Sequence, residues 1–259
     1  MTAGSDLMNC RIQSDFDDHW GKNFSAAIPR SKITEAQKFF RPVITLLKSQ
    51  ETKVFEAGCG DGVHWTFIRN LKNDGLSYTG IDISAAAINR LREEKERQKD
   101  RFIKMDLSAL SEPDNSYDIV FAFGVIAYTQ RPEKSFAELC RICKPGGWVG
   151  IWVYPEPQGV GKLAFYTIRH MCRLLGPFAT RRIADSIVPF MGWLPTRSKV
   201  NLFNASWKQC REVILVNIAP RRLSFFLREE VILWFENQHI TIEYEDENNQ
   251  ITLWGRKNG

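Results

Sequence analysis

Val54-Phe55-Glu56-Ala57-Gly58-Cys59-Gly60-Asp61-Gly62 is the stretch that decides the fold. A short apolar run ends in an acidic residue, and three glycines at alternate positions then lead into a helical pattern that begins near Val63. Strand, tight turn and helix N-terminus meet here. Glycines suit such a place because they accept positive φ angles and let a ligand lie directly on the backbone. The stretch therefore predicts a nucleotide-type binding loop.

The composition of this loop indicates which kind of nucleotide it would take. A dinucleotide fingerprint would place a third small residue where Val63 stands, so that helix and strand pack closely and pyrophosphate reaches the helix N-terminus. Glu56 and Asp61 are also poor neighbours for a pyrophosphate and good ones for a cation. The loop thus predicts a ligand with positive charge and no phosphate, and it disfavours an NAD-dependent oxidoreductase.

Further segments follow the loop at the spacing of alternating β and α units. A strand ending in Asp82 lies about 20 residues beyond the loop, where nucleotide-binding folds place a ribose-binding acid. The other segments are 101–107, 117–125 and 144–148.

With these segments in order, E-x-G-C-G-x-G resembles motif I of the class I S-adenosylmethionine-dependent methyltransferases. The resemblance implies a doubly wound α/β fold, Rossmann-like, with a mostly parallel sheet of seven strands whose last strand is antiparallel. It implies S-adenosyl-L-methionine as cofactor and S-adenosyl-L-homocysteine as product. The ammonium and sulfonium groups of this cofactor, and its lack of phosphate, agree with the acids of the loop.

The resemblance also implies which residues bind the cofactor. Asp82 is expected to accept hydrogen bonds from the ribose hydroxyls, and Asp106 to meet the adenine amino group. Trp20 lies in an N-terminal segment that folds over the cofactor in many members, although it would serve equally as an anchor of that segment to the core. The remaining expected contacts are Glu56, Gly58, Cys59, Gly60, Ile83, Leu107 and Phe123.

The chain divides into four predicted parts. A helical pattern over 228–237 and two strands over 240–246 and 251–256 complete the methyltransferase sheet. The segment before them is too long for a plain loop, and its helical patterns at 162–175, 180–191 and 205–216 predict a substrate cap inserted in the core. The parts are 1–50 (N-terminal cap segment), 51–154 (cofactor-binding core), 155–226 (helical cap) and 227–259 (end of the core).

The predicted insertion carries the positive charge of the chain. It has eleven Lys and Arg against three Asp and Glu, a net charge of +8, whereas the whole chain is +5 and the remainder therefore −3. This balance suggests an anionic acceptor such as a carboxylate, a phosphorylated molecule or a lipid headgroup. Arg169 and Arg173 lie one turn apart beside apolar residues, as in a helix on a membrane surface, or as in the solvated face of an inward-packing helix.

Candidates for contact with the acceptor follow the fourth and fifth strands. Tyr154 and Glu156 come at the end of the fifth strand, at the edge of the sheet that borders the ligand crevice, and Glu156 is the best-placed carboxylate for a general base. A solvated loop acid is the alternative for Glu156. Tyr128 stands where relatives with small substrates often carry histidines, and its hydroxyl would orient an acceptor or its ring would simply pack beneath the pocket.

Three functions remain open at this point. A small-molecule O- or N-methyltransferase fits best; an RNA methyltransferase is weaker because no RNA-binding module is recognisable, so no nucleic-acid partner is expected. A non-catalytic scaffold that binds S-adenosylmethionine is the third. No metal site is predicted, since Cys140 and Cys143 form C-x-x-C without a second pair. The lack of a long apolar run and of a secretory signal predicts a cytoplasmic protein without a transmembrane segment.

Overall fold

The computed structural model describes residues 13, 16–17, 30–49, 51–95, 100–159, 161–188, 222–246 and 250–259. The chain forms two compact units, each described by itself: Met1–Tyr154 together with Phe226–Gly259, and Pro155–Phe225. The first unit contains a β-sheet with its helices, and the described part of the second contains one long, interrupted helix.

The elements follow one another in the alternating order that the sequence predicts. Helices α1 (Arg30–Phe39) and α2 (Ile44–Ser49) precede β1 (Lys53–Ala57), α3 (Val63–Arg69), β2 (Ser77–Asp82), α4 (Ala85–Lys95), β3 (Asp100–Lys104), β4 (Tyr117–Phe123), α5 (Pro132–Ile142) and β5 (Cys143–Val153). The second unit contains α6 (Gly161–Ile187). The first unit then resumes with α7 (Arg228–Asn237), β6 (Ile240–Glu245) and β7 (Ile251–Lys257).

The described strands form one sheet of seven in the order β3-β2-β1-β4-β5-β7-β6. Neighbouring strands from β3 to β5 are parallel, and β7 is antiparallel to both β5 and β6. The predicted Rossmann-like sheet with an antiparallel last strand is confirmed. Because β1 lies between β2 and β4, the strand order reverses beside it, and such a reversal opens a ligand crevice at the carboxyl ends of the strands.

The core of the first unit lies on both faces of the central strands. Phe55 in β1 and Phe121 in β4 are fully buried, as expected of parallel strands covered by helices. Trp254 of β7 is also fully buried, and its indole N–H donates to the Phe39 carbonyl at 2.8 Å. An ideal Cβ on Gly150 would lie 2.4 Å from the Trp254 ring, so only glycine at that position of β5 leaves room for the indole.

A buried ion pair fixes α3 to the outer strand β3. The Asp100 carboxylate is fully enclosed and accepts from Trp65 Nε1 and Arg69 Nε, each at 2.9 Å, and from Arg69 Nη2. Burying a carboxylate is costly unless hydrogen bonds satisfy it. Here three donors surround it, so the pair holds the helix that follows the glycine loop in place.

The predicted helices agree with the described residues. The helix predicted over 228–237 is confirmed, and the helical pattern that begins near Val63 corresponds to α3. The predicted segments 162–175 and 180–191 correspond to α6, which is interrupted at Gly176 with φ 82°. The predicted helix 205–216 lies outside the described residues. Among the described helices, none has the length and apolar character needed to cross a bilayer.

Candidate functional site

The glycine loop is bound to β2 and pressed against the segment that follows β4. The backbone N–H groups of Gly58 and Cys59 both donate to the Ile81 carbonyl, at 2.7 and 2.9 Å. Gly58 has φ +75°, and an ideal Cβ on it would lie 2.7 Å from Val125 Cβ. A side chain at this position would therefore be both strained and without space, which explains why glycine opens the loop.

Asp82 is the last residue of β2, and it holds the loop and the next helix together. Its Oδ2 accepts from the Gly60 N–H at 3.0 Å, and its Oδ1 accepts from the Ser84 N–H at 2.9 Å. Burial raises the pKa of Asp82 to about 6, against the lowering effect of these two hydrogen bonds. A carboxylate offers about four lone-pair directions, so each oxygen retains acceptor capacity for a ribose hydroxyl.

Glu56 lies beneath the loop and is only 1% exposed. The Tyr78 hydroxyl donates to its Oε2, and His64 Nδ1 lies 2.6 Å from its Oε1, within hydrogen-bond distance. Burial raises the pKa of Tyr78 well above its ordinary value, so the phenol stays a donor. The His64 ring packs against both Phe39 and Phe123. Both carboxylate oxygens are thus held by protein groups, and contact of Glu56 with a cofactor stays a prediction.

The other predicted cofactor contacts lie beyond β2 and β3. Asp106 Oδ1 accepts from the N–H and the hydroxyl of Ser108, both at 2.8 Å, which fixes the turn after β3. Leu107 is 5% exposed, and Ile83, directly after Asp82, is half-buried. Trp20 lies outside the described residues. The roles of these residues in binding adenine and ribose stay predictions.

An aromatic wall continues from the end of β4 to the end of β5. The rings of Phe123 and Trp152 are stacked with centroids 4.9 Å apart, and the Tyr154 ring meets Trp152 edge-on at 4.6 Å. The Tyr128 and Tyr154 hydroxyl oxygens are 3.3 Å apart. Burial is the main cause that raises the pKa of Tyr154. The structure thus brings two of the three predicted catalytic residues together and keeps one of them a neutral phenol.

Two N-terminal residues that the sequence did not single out also meet this region. The Phe16 ring contacts Tyr128 edge-on at 5.2 Å. Asp17 Oδ1 accepts from the Ser84 hydroxyl at 2.6 Å and from the Ala86 N–H at 3.1 Å, so it caps α4 from far away in the chain. The only sequence signal was the aromatic and acidic run around residue 16. These contacts place part of the N-terminal segment beside the residues that follow both β2 and β4.

A second contact of the N-terminal segment reaches the glycine loop itself. Lys32 Nζ in α1 lies 2.8 Å from Asp61 Oδ2, with the lysine side chain 46% exposed. Asp61 was one of the two acids that suggested a cationic ligand. The ammonium group of Lys32 therefore pairs with Asp61, and the His64 ring lies against the carboxyl group of Glu56.

Glu156, the third predicted catalytic residue, belongs to the unit Pro155–Phe225. Its Oε1 lies 2.6 Å from Lys162 Nζ, and about half of the lysine side chain is exposed, at 48%. The carboxylate is therefore engaged in a partly solvated ion pair. Its role as a general base stays a prediction.

The two cysteines of the C-x-x-C pattern lie in the packed interior of the protein. Cys140 and Cys143 are buried free thiols, and burial raises the pKa of Cys143 to about 12. Metal binding requires the thiolate, which this environment disfavours.

Comparison with known proteins agrees with this geometry. Residues 55–151 match the family described as Methyltransferase domain. A phosphatidylethanolamine N-methyltransferase from Cereibacter sphaeroides is 29% identical over 169 residues, which are 62% of this chain and 71% of that protein. A sterol 24-C-methyltransferase from Gibberella zeae is 33% identical over 104 residues, 39% of this chain but only 27% of that protein.

A solved structure has a similar fold. The 1,6-didemethyltoxoflavin-N1-methyltransferase of Burkholderia thailandensis, with S-adenosylhomocysteine bound, has a TM-score of 0.57 at 12% identity and covers 100% of this chain and 92% of its own. At that identity the likeness speaks for the fold alone.

The residues of the crevice fit the cofactor of this family. Gly58 and Gly60 have positive φ angles and no side chain, so a ligand could approach the backbone there, and the anchored carboxylate of Asp82 offers acceptors at the reversal of strand order. S-adenosylmethionine is the cofactor that this site takes, and S-adenosylhomocysteine is the corresponding product. Residues 55–151 form a methyltransferase domain of the class I, S-adenosylmethionine-dependent type.

Proposed function

We propose that this chain transfers the methyl group of S-adenosylmethionine to an oxygen or nitrogen of a small or lipid-like acceptor that carries negative charge. The observation that carries the proposal is the aromatic wall beside the crevice, which ends in the paired hydroxyls of Tyr128 and Tyr154 at 3.3 Å. Hydroxyls next to a crevice suit the orientation of a polar acceptor atom.

On the cofactor side, this chain contributes acceptors and a bare backbone. Asp82 is in position to accept from ribose hydroxyls, and the glycine loop lets the ligand approach the main chain. The bound cofactor supplies a methyl group made electrophilic by the sulfonium. Holding two reactants in line in this way contributes several kcal/mol, up to about 10, to lowering the barrier.

On the acceptor side, we infer that the protein contributes mainly by positioning the acceptor and less by removing a proton from it. Since its pKa is raised by burial, Tyr154 stays protonated near neutral pH and donates a hydrogen bond rather than taking a proton. Its partner Tyr128 fixes the direction of that hydroxyl. We infer that the pair orients the acceptor, and that Glu156, if it acts as a base, must first leave its ion pair with Lys162.

Charge and relatives support the class of acceptor. The segment 155–226 has a net charge of +8 while the remainder of the chain is −3, which favours an anionic molecule. The names of two relatives, phosphatidylethanolamine N-methyltransferase and sterol 24-C-methyltransferase, describe proteins that act on lipids. The charge thus supports an anionic acceptor, and the relatives support a lipid-like one.

The test is transfer of labelled methyl from S-adenosylmethionine to separated extract fractions of polar metabolites, lipids, RNA and protein. Label in the polar or lipid fraction supports the proposal. Asp82→Ala should lose the label, whereas Glu133→Gln, an exposed acid of α5, should retain it. Label in RNA would replace the small acceptor with a nucleic acid. An unlabelled extract, with cofactor binding intact, would favour a non-catalytic binding protein.

A further inference from the structure

The described part of the unit Pro155–Phe225 is a helical hairpin with its own small core. The backbone turns at Gly176, where φ 82° and ψ 179° interrupt α6. Cys172, Ala184 and Val188 are buried between the two halves. The first half of α6 therefore has one face turned toward the second half.

The opposite face of the first half exposes several large apolar side chains. Leu163 and Leu174 are 77% and 73% exposed, and because they are eleven residues apart, about three turns, they lie on the same side of the helix. Five of the seven large hydrophobic side chains that are exposed among the described residues belong to this half: Leu163, Tyr166, Met171, Leu174 and Leu175. Apolar side chains grouped in this way mark an interaction surface.

A basic cavity lies beside this face. It measures about 460 Å³ and is lined by Tyr166, Thr167, Arg169, His170, Arg173 and Leu223. Arg169 is only 2% exposed, and its guanidinium lies 5.9 and 5.6 Å from the ring centroids of Phe165 and Phe225. The positive charge of Arg169 and the exposed guanidinium of Arg173 both favour an anion such as phosphate in this cavity.

We propose that α6 docks on an anionic lipid bilayer, with a headgroup phosphate in the cavity at Arg169 and Arg173 and with Leu163 and Leu174 among the acyl chains. Charge complementarity argues for this occupant, since α6 has five basic side chains against one acidic, a net charge of +4. A soluble phosphate would use the cavity but leave the leucines in water. A lipid would place its phosphate in the cavity and its acyl chains against the leucines, as at other interfacial helices.

The test is co-sedimentation of the full chain, without cofactor, with vesicles of phosphatidylcholine alone or mixed with phosphatidylglycerol. We expect binding to the mixed vesicles that weakens as salt is raised. Binding that is equal for both vesicle types, or absent for the mixed ones, overturns the proposal.

Two pairs of variants separate the apolar and the charged contributions. Leu163→Ser with Leu174→Ser should lower partitioning to the mixed vesicles about tenfold, while Leu227→Ser with Leu233→Ser, also exposed leucines but in the other unit, should not. Arg173→Gln should lower it about fivefold, and Lys134→Gln, an exposed lysine of α5, should leave it unchanged. Equal effects of variant and control would overturn the assignment of α6.

A third measurement separates a lipid from a soluble anion. Titration with inorganic phosphate, followed by the NMR signals of His170, should show only weak binding that the double serine variant retains. Tight phosphate binding without vesicle binding would assign the cavity to a soluble anion and overturn docking. Because no methyl transfer is involved, this outcome is independent of whether the proposed enzymatic activity holds.

Discussion

Cofactor affinity should depend on pH through Asp82. The Asp82 carboxylate, which we propose accepts from the ribose hydroxyls, has a pKa raised to about 6 by burial. Its ionised form is the better acceptor, so affinity should rise with pH through about 6 and level off above about pH 7. At about pH 5 only roughly a tenth of the molecules are ionised, so the apparent Kd should be about tenfold higher than at the plateau.

The same shift has the opposite sign for stability without ligand. Because the folded pKa lies above the ordinary value of 3.8, folding favours the protonated form. The contribution of Asp82 to stability is present below about pH 4 and is lost as pH rises through about 6, on the order of 3 kcal/mol. Low pH thus weakens cofactor binding but stabilises the ligand-free protein.

Isothermal titration with S-adenosylhomocysteine from about pH 5 to about pH 8 measures the first effect. Asp82→Asn is the matched control, because an amide does not titrate: its affinity should be lower and independent of pH in this range. A flat profile for the natural chain, or a profile shared by the Asn variant, would refute the assignment to Asp82.

Three further perturbations have expected results. Gly58→Ala should destabilise the fold by on the order of 3 kcal/mol, through positive φ and overlap with Val125; an unchanged urea midpoint would contradict this. Arg69→Leu should cost about 3–5 kcal/mol, because Asp100 keeps a buried charge, and thermal unfolding checks it. Tyr154→Phe should lower kcat about tenfold at unchanged cofactor Kd; a loss of cofactor affinity would instead assign the hydroxyl to that ligand.

Patterns within short stretches of the sequence predicted the elements whose conformation depends on neighbouring residues. The glycine loop and the apolar runs were sufficient for the parallel strands, and Asp82 could be placed because an acid that ends a buried strand must lie at the carboxyl edge of the sheet. The helix 228–237 was predicted with its ends because glutamates in its first turn and an apolar face mark it.

The partners of site residues depend on register and could not be predicted. Tyr78 reads as one more residue of a buried strand, yet its hydroxyl binds Glu56 because Glu56 pairs with Gly80 across the two strands. With no side chain at Gly80, the Tyr78 ring lies over that position, 2.9 Å from where a Cβ would be. The cap of α4 by Asp17 bridges 67 residues or more and leaves no local pattern either.

The burial of Trp254 against Phe39 has a consequence for how the protein is made. The two residues are 215 positions apart, and β7, which carries the indole, is inserted between strands that leave the ribosome earlier. At typical rates of synthesis, roughly 10–40 s separate their appearance. Pulse proteolysis of ribosome-bound chains should find Phe39 accessible until β7 is synthesised. Through that interval the core lacks the Trp254 side chain, and apolar residues that the finished protein buries are exposed to aggregation.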